Sequence, residues 1–323
     1  MGCAARVVLY ATDEPSARAH AKAAFSRMKA LEHALSDYDP QSESELLGAA
    51  SGDGVMRPVS ADLFEMLRAA RWMAQRSDGA FDPTCGALTR LWRAARRAGV
   101  PPDAVAAANA ARTISWRAIA LHATEQRAAL QHAGARLDFG GIAKGHAVCE
   151  ASRLLAKRGA PMHMVSIEGD IALGAAPPDA HGWKVEVDAM PAQALERPQA
   201  STPARPPSVD ARCALLLAHC VISTSGDNFQ HLVVGNEIHS HILDPRTGKP
   251  LTRRVAASVI AQEGLVADGA ATALCALETS QRAGFVQRMR IAARIVEATA
   301  SGLNETTYGP WPCAESVVPT RSR

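Results

Sequence analysis

Residues 137–150 read LDFGGIAKGHAVCE. A strand expected over 133–139 carries Asp138 near its end, two glycines follow, and Lys144 stands at the start of a helix expected from Ala143 to about Arg158, closed by Gly159. Chains often meet phosphates through this order of elements. Glycines let a backbone approach a ligand, and the free N–H groups and positive dipole end of a helix start favour an anion. Neither the P-loop pattern GxxxxGK[ST] nor the dinucleotide pattern GxGxxG is present. Lys144 would add a full charge, and Asp138 would accept a hydrogen bond or support a cation. A tight turn with a surface lysine and a capping aspartate accounts for the same residues, so the stretch alone leaves both readings open.

Upstream, ARVVLYA (5–11) reads as a strand, and Pro15 to about Leu35 as an alanine-rich helix with apolar residues at helical spacing. SDYDPQSESE (36–45) reads as a polar loop, and Ser60 as the N-cap of a helix reaching about Gln75. SDGAFDPTCGALTRLW (77–92) starts as a turn and ends helical. Downstream, MHMVSIEGDIAL (162–173) and WKVEVDAM (183–190) alternate like strands, and CALLLAHCVIST (213–224) is strand-like. HLVVGNEIHSHILDP (231–245) reads as a hairpin turning at Gly235-Asn236. VAASVIAQ (255–262) is another strand, and LVADGAATALCAL (265–277) a helix with an acidic first turn. The tail adds one more helix and a strand near Ile291–Val296. Residues 191–211, rich in Pro, Ala and Ser and lacking apolar periodicity, read as a flexible surface insertion. Grouped strands with helices interposed irregularly predict α+β with a largely antiparallel sheet.

The 323 residues, 47% hydrophobic and 21% charged, have the balance of a globular protein with a substantial core. A net charge of +3 gives no sign of a nucleic-acid surface, and RLWRAARR (90–97) reads as the solvated face of a helix. No apolar run is long enough for a transmembrane helix, and MGCAARVVLYATDEP turns polar too soon for a signal peptide. As the chain stands a cytoplasmic protein is expected; a missing upstream export signal would make it periplasmic or membrane-anchored. Cysteines 3, 85, 149, 213, 220, 275 and 313 form no CxxC pair, which favours free thiols over a disulfide framework or a zinc site.

Asp268 and Thr272 are four apart and share a helix face. A carboxylate and a hydroxyl are hard oxygen donors suited to Mg²⁺, which completes its shell with phosphate oxygens and water. A helix acid and a packing threonine are the alternative. His239 and His241 are two apart on a strand with Asp244 following; they suit zinc but lack a third ligand, and a single histidine as general base is the stronger role. STSG (223–226) and GAFDPT (79–84) are polar turns able to line a ligand site.

In chain order stand MGC (1–3), SDY (36–38) with Ser42-Glu43, GAFDPTCGAL (79–88), LDFGGIAKGHA (137–147), EGD (168–170), ISTSG (222–226), SHILDPRTGKP (240–250) and ADGAATAL (267–274). Together they resemble the ApbE-type FAD:protein FMN transferases over nearly the whole chain. The resemblance implies a single α+β, T-fold-type domain over 1–323 with an FAD cleft and Mg²⁺-dependent chemistry. FAD would be split at its pyrophosphate, FMN passing to a Ser or Thr hydroxyl of an acceptor flavoprotein while AMP leaves. It implies FAD contacts at Met1, Tyr38, Ala80, Phe81, Asp82, Asp138, Lys144 and His241, with Asp170 near the flavin. Metal contacts would come from the Gly141 carbonyl and the side chains of Asp268 and Thr272; His241, as base for the acceptor hydroxyl, and Asp268 are the catalytic candidates. The chain departs from the family pattern at Cys3 (for Thr), His146 (for Tyr), Cys149 (for Asp) and Glu168 (for Gly). An Mg²⁺-dependent FAD pyrophosphatase and a non-catalytic flavin-binding protein are the rival readings.

Overall fold

A seven-stranded antiparallel sheet carries the architecture. In spatial order it runs β1 (Ala5–Leu9), β5 (His163–Ile167), β6 (Asp170–Leu173), β9 (Cys220–Gly226), β14 (Val255–Ala261), β15 (Ala292–Thr299) and β16 (Gly302–Tyr308). Three short strands, β2 (Arg57–Pro58), β3 (Ile119–His122) and β4 (Arg127–Leu130), form a second sheet with β4 central. Among the described residues there are also three two-stranded ribbons: β7 (Trp183–Asp188) with β8 (Arg212–Leu217), β10 (His231–Val234) with β11 (Glu237–Ser240), and β12 (Leu243–Asp244) with β13 (Lys249–Pro250). The computed structural model describes residues 3–188, 212–226, 231–235, 237–299 and 302–312. Met1, Asn236 and the insertion expected at 191–211 lie outside them.

The helices are α1 (Glu14–Leu35), α2 (Glu43–Ala49), α3 (Ala61–Arg76), α4 (Gly86–Ala98), α5 (Ala104–Ala111), α6 (Ala143–Lys157), α7 (Gly264–Ala276) and α8 (Thr279–Met289). Helix α6 packs on β5 and β6, α7 on β9 and β14, and α1 on α6. The two-residue period of the strands sorts their side chains between two cores. Val165, Ile167, Ala172 and Val221 join the helices in the main core. Leu173 and Ile222 are buried against Trp183, Val185, Leu215 and Leu217 of the β7–β8 ribbon, with Met164 and Ile171 packed on them. Helix α7 is apolar nearly all round and lies buried between α6, α3 and the sheet, as such a helix must. Glycines set its distance from α6: a Cβ on Gly145 would stand 2.4 Å from the Gly264 carbonyl oxygen.

The expected α+β class with an antiparallel sheet is the class observed. Several local expectations need correction. Residues 133–139 form no strand; Arg136 makes one bridge to Cys85. The segment is held instead by Gly86 N–H to Arg136 O (3.0 Å) and Asp138 N–H to Pro83 O (2.8 Å). Gly86 allows this close docking, since a Cβ there would meet Leu137 O at 2.5 Å. The loop at 36–45 is cut short by α2, whose N-cap Ser42 accepts from Glu45 N–H. Residues 213–224 are two strands, β8 and β9, separated by a turn in which His219 takes φ 53°. Asp268 lies one turn inside α7 rather than in its first turn, and Glu263 stands at the N-cap. Among the described residues no helix is long and apolar enough to cross a membrane, and all the described cysteines are free thiols.

Candidate active site

A cleft of about 800 Å³ opens where the 138–144 turn and the start of α6 meet the β5–β6 turn, the end of β9 and α7. Tyr38, Ala80, Phe81, Asp82, Asp138, Gly141, Lys144, Asp170, His241 and Thr272 all line it. Asp268, 1% exposed, sits directly behind this wall.

The turn of the 137–150 stretch is organised by its own residues. Asp138 Oδ1 accepts from Gly140 N–H at 2.7 Å, which folds the chain back on itself. Thr272 Oγ1 donates towards the Gly141 carbonyl at 3.3 Å and contacts Ser225 Oγ at 3.0 Å. Glycine at 141 is required, because a Cβ would strike Thr272 Oγ1 at 2.6 Å. Asp268 Oδ2 accepts from Gly145 N–H at 2.9 Å, so α7 satisfies a donor in the first turn of α6 that has no partner within the helix.

Lys144 lines the cleft and is also engaged by a carboxylate of the protein itself. Its ammonium lies 3.0 Å from Oδ2 of Asp170, a carboxylate 1% exposed. Burial pulls the Lys144 pKa down, but the Asp268 and Asp170 carboxylates outweigh it and hold the ammonium firmly charged. Asp268 is pushed up to about 7 by burial and by the Asp170 charge, against the opposing pull of Lys144 and the backbone N–H groups. Two buried carboxylates thus share one ammonium, an arrangement that a further cation would relieve.

These residues fit a hard divalent cation. The Gly141 carbonyl, the Thr272 hydroxyl and the Asp268 carboxylate are oxygen donors of the type Mg²⁺ takes, and glycine at 141 keeps methyl bulk out of the space between them. Among the described residues no three His, Cys, Asp or Glu side chains cluster as a metal site. A cation here would draw the rest of its shell from a ligand's phosphates and water. The histidine pair gives no zinc site: His239 stacks on Trp92 with ring centroids 5.3 Å apart, whereas His241 lies one residue beyond β11 and lines the cleft.

Asp82 is a scaffold as well as a lining residue. Its Oδ1 accepts from Thr84 N–H (2.9 Å) and Thr84 Oγ1 (2.7 Å), and its Oδ2 from Trp116 N–H (2.8 Å). Burial raises its pKa in spite of these bonds. They tie the 79–84 turn to residues 115–116 and seat Ala80 and Phe81, 1% and 4% exposed, in the cleft wall.

The arginines of α4 are the site residues that sequence reasoning missed. Far from forming a solvated face, Arg93 and Arg96 line the cleft. Arg93 pairs with Asp37 at 2.8 Å, lies 3.9 Å from Asp138 and covers the Tyr38 ring at 4.2 Å. The signal was present as spacing: Cys85, Thr89, Arg93 and Arg96 recur along one helix face. Glu168, at the β5–β6 turn, also lines the cleft and takes φ 50°, the left-handed conformation in which glycine is at ease.

Known proteins resemble this chain along most of its length. The chain is 30% identical over 289 residues to the FAD:protein FMN transferase of Treponema pallidum, covering 84% of this chain and 75% of that one. It is 26% identical over 278 residues to the protein of the same name from Chlamydia muridarum, covering 84% and 80%. The apo crystal structure of Pseudomonas stutzeri flavinyl transferase ApbE superposes with a TM-score of 0.78 at 25% identity, covering 95% of this chain and 94% of that one. The flavin transferase ApbE of Vibrio cholerae, at 21% identity, shares the fold with a TM-score of 0.80 over the same fractions. The ApbE family model matches residues 1–295, and the chain belongs to the ApbE family.

Proposed function

We infer that the protein is an FAD:protein FMN transferase, which moves the FMN half of FAD onto a hydroxyl of an acceptor flavoprotein and releases AMP. The shared name of its relatives supports the reaction class. One observation carries the site assignment: the Gly141 carbonyl and Thr272 hydroxyl, 3.3 Å apart, face the same cleft as Asp138, Lys144 and His241, with Asp268 buried behind them.

Mg²⁺ would be held by Gly141, Thr272 and Asp268, and when bound it would draw charge from the pyrophosphate and favour departure of AMP. The chain's own residues position the reactants. Phe81 and Ala80 would supply an apolar wall for the flavin, and exposed Tyr38 an aromatic surface at the cleft edge. Asp138 holds the 138–141 turn in shape, and Lys144 with Asp170 fixes the charge beneath it. A Ser or Thr oxygen of the acceptor would attack the FMN phosphorus while the phosphoanhydride bond to AMP breaks. His241 would take the hydroxyl proton. Positioning and charge neutralisation carry most of the catalysis in such transfers.

The test incubates purified protein with FAD, Mg²⁺ and a Ser/Thr-bearing acceptor, followed by denaturing electrophoresis. A fluorescent acceptor band that EDTA abolishes is the expected result. Free FMN and AMP without a labelled band would make the protein a pyrophosphatase, and bound FAD with no turnover would make it a flavin carrier.

A further inference from the structure

The cleft is built to receive a dinucleotide with two negatively charged phosphates, yet its own charge is unfavourable for one. Asp37, Asp138, Glu168 and Asp170 all line it. Of the three arginine and lysine side chains that line it among the described residues, two are already committed: Lys144 to Asp170 at 3.0 Å and Arg93 to Asp37 at 2.8 Å. Arg96 is the third. It forms no ion pair among the described residues, and its Nη1 is buried without a hydrogen-bond partner. A guanidinium nitrogen withdrawn from water and left unbonded is costly, and a planar fork of donors matches phosphate oxygens well. Burial and the neighbouring charge of Arg93 oppose the protonated form of Arg96 more than nearby Tyr38 and Asp138 support it, so an anion placed against it would relieve the imbalance.

We propose that Arg96 is the anion anchor of this cleft, binding a phosphate of FAD. The proposal rests on the transferase reading and adds a cationic residue outside both the 137–150 turn and the oxygen donors around Thr272. Helix α4 presents Arg96 from the same face as Thr89 and Arg93, so the anchor is fixed by a rigid element rather than a loop.

The experiment measures binding of FAD and of riboflavin, which lacks phosphate, to the full chain by flavin fluorescence in EDTA. Wild type is compared with Arg96→Gln and Arg96→Lys. Arg96→Gln should weaken FAD binding about tenfold or more, the worth of one charge-assisted pair, and leave riboflavin binding unchanged. Arg96→Lys should recover part of the loss, and added salt should weaken FAD binding to wild type more than to Arg96→Gln. Unchanged FAD affinity in Arg96→Gln overturns the proposal, as does an equal loss for both flavins, which would mark a packing role. A raised acceptor KM with unaltered FAD affinity also overturns it, by assigning the anion to the acceptor protein. Wild-type protein that binds no FAD overturns the transferase reading as well, so the two failures are distinguishable.

Discussion

Gly145 donates its backbone N–H to Asp268 Oδ2 at 2.9 Å, joining residues 123 positions apart at the point where α6 touches α7. The contact leaves no room for a side chain on either helix. A Cβ on Gly145 would lie 2.5 Å from Asp268 Cβ, and one on Gly264 would lie 1.9 Å from Gly145 O. Gly145→Ala should therefore separate the helices and cost about 1–3 kcal/mol or more, read as a fall in denaturant midpoint at constant slope. Wild-type stability in this variant would show that the helices can part without penalty.

Asp268→Asn keeps the shape and removes the charge. Flavin transfer should fall by at least the roughly 10–100-fold that changes behind a metal ligand cost, with the folded state retained by circular dichroism. Transfer at the wild-type rate would remove Asp268 from the site.

The same carboxylate makes stability depend on pH in a definite direction. Its folded pKa, about 7, is above the unfolded carboxylate range, so the folded state binds the extra proton. That contribution is fully present below the unfolded pKa and is lost as pH rises through about 7. In EDTA, the stability of wild type relative to Asp268→Asn should fall between pH 5 and pH 8, measured by urea unfolding at each pH. A difference independent of pH would contradict this.

His163 should act with the opposite sign. Its Nδ1 lies 2.7 Å from Ala160 O, which can only accept, so Nδ1 carries a hydrogen and the neutral ring's Nε2 is left to accept from Ser152 Oγ at 2.7 Å. Burial lowers its pKa below the usual value near 6.5. Stability should decline as pH falls through that unfolded value, because the unfolded chain takes up a proton that the folded ring refuses. His163→Gln should flatten this acid limb in the same unfolding series.

Glu168 takes a left-handed φ of 50° at the β5–β6 turn. Glu168→Gly should relieve about 1 kcal/mol of backbone strain and raise the melting temperature by a few degrees. A lowered melting temperature would mean that the Glu168 carboxylate, which accepts a hydrogen bond from Cys3, contributes more than its backbone strain costs.

Much of this architecture is legible in the sequence because periodicity and caps act locally. Ser60 caps α3 through its hydroxyl, and Gly159 follows the end of α6 at φ 88°, as their residue types require. The lining residues Asp138, Gly141, Lys144 and Thr272 sit inside contiguous motifs and converge as expected. What local reasoning could not supply is the partner across space. Nothing in the spacing around Lys144 says that β6 brings Asp170 to 3.0 Å from its ammonium. RLWRAARR looked solvated because nothing in its spacing says that Asp37 and Tyr38 lie opposite. The segment before Asp138 carries strand-like residues, but its carbonyls and N–H groups bond to the start of α4 and to Pro83 instead of to a ladder.

The pairing of Leu9 with His163 sets an order of events on the ribosome. Strand β1 emerges long before its hydrogen-bond partner, which follows only after all of α1 to α6. Until then its edge is unsatisfied, and such long-range pairings are the slow and aggregation-exposed steps of folding. The helices can form early, but the sheet cannot register until the chain beyond α6 is made. Nascent protein is therefore most vulnerable in the interval before β5 arrives, and a chaperone that shields the first strand would act there.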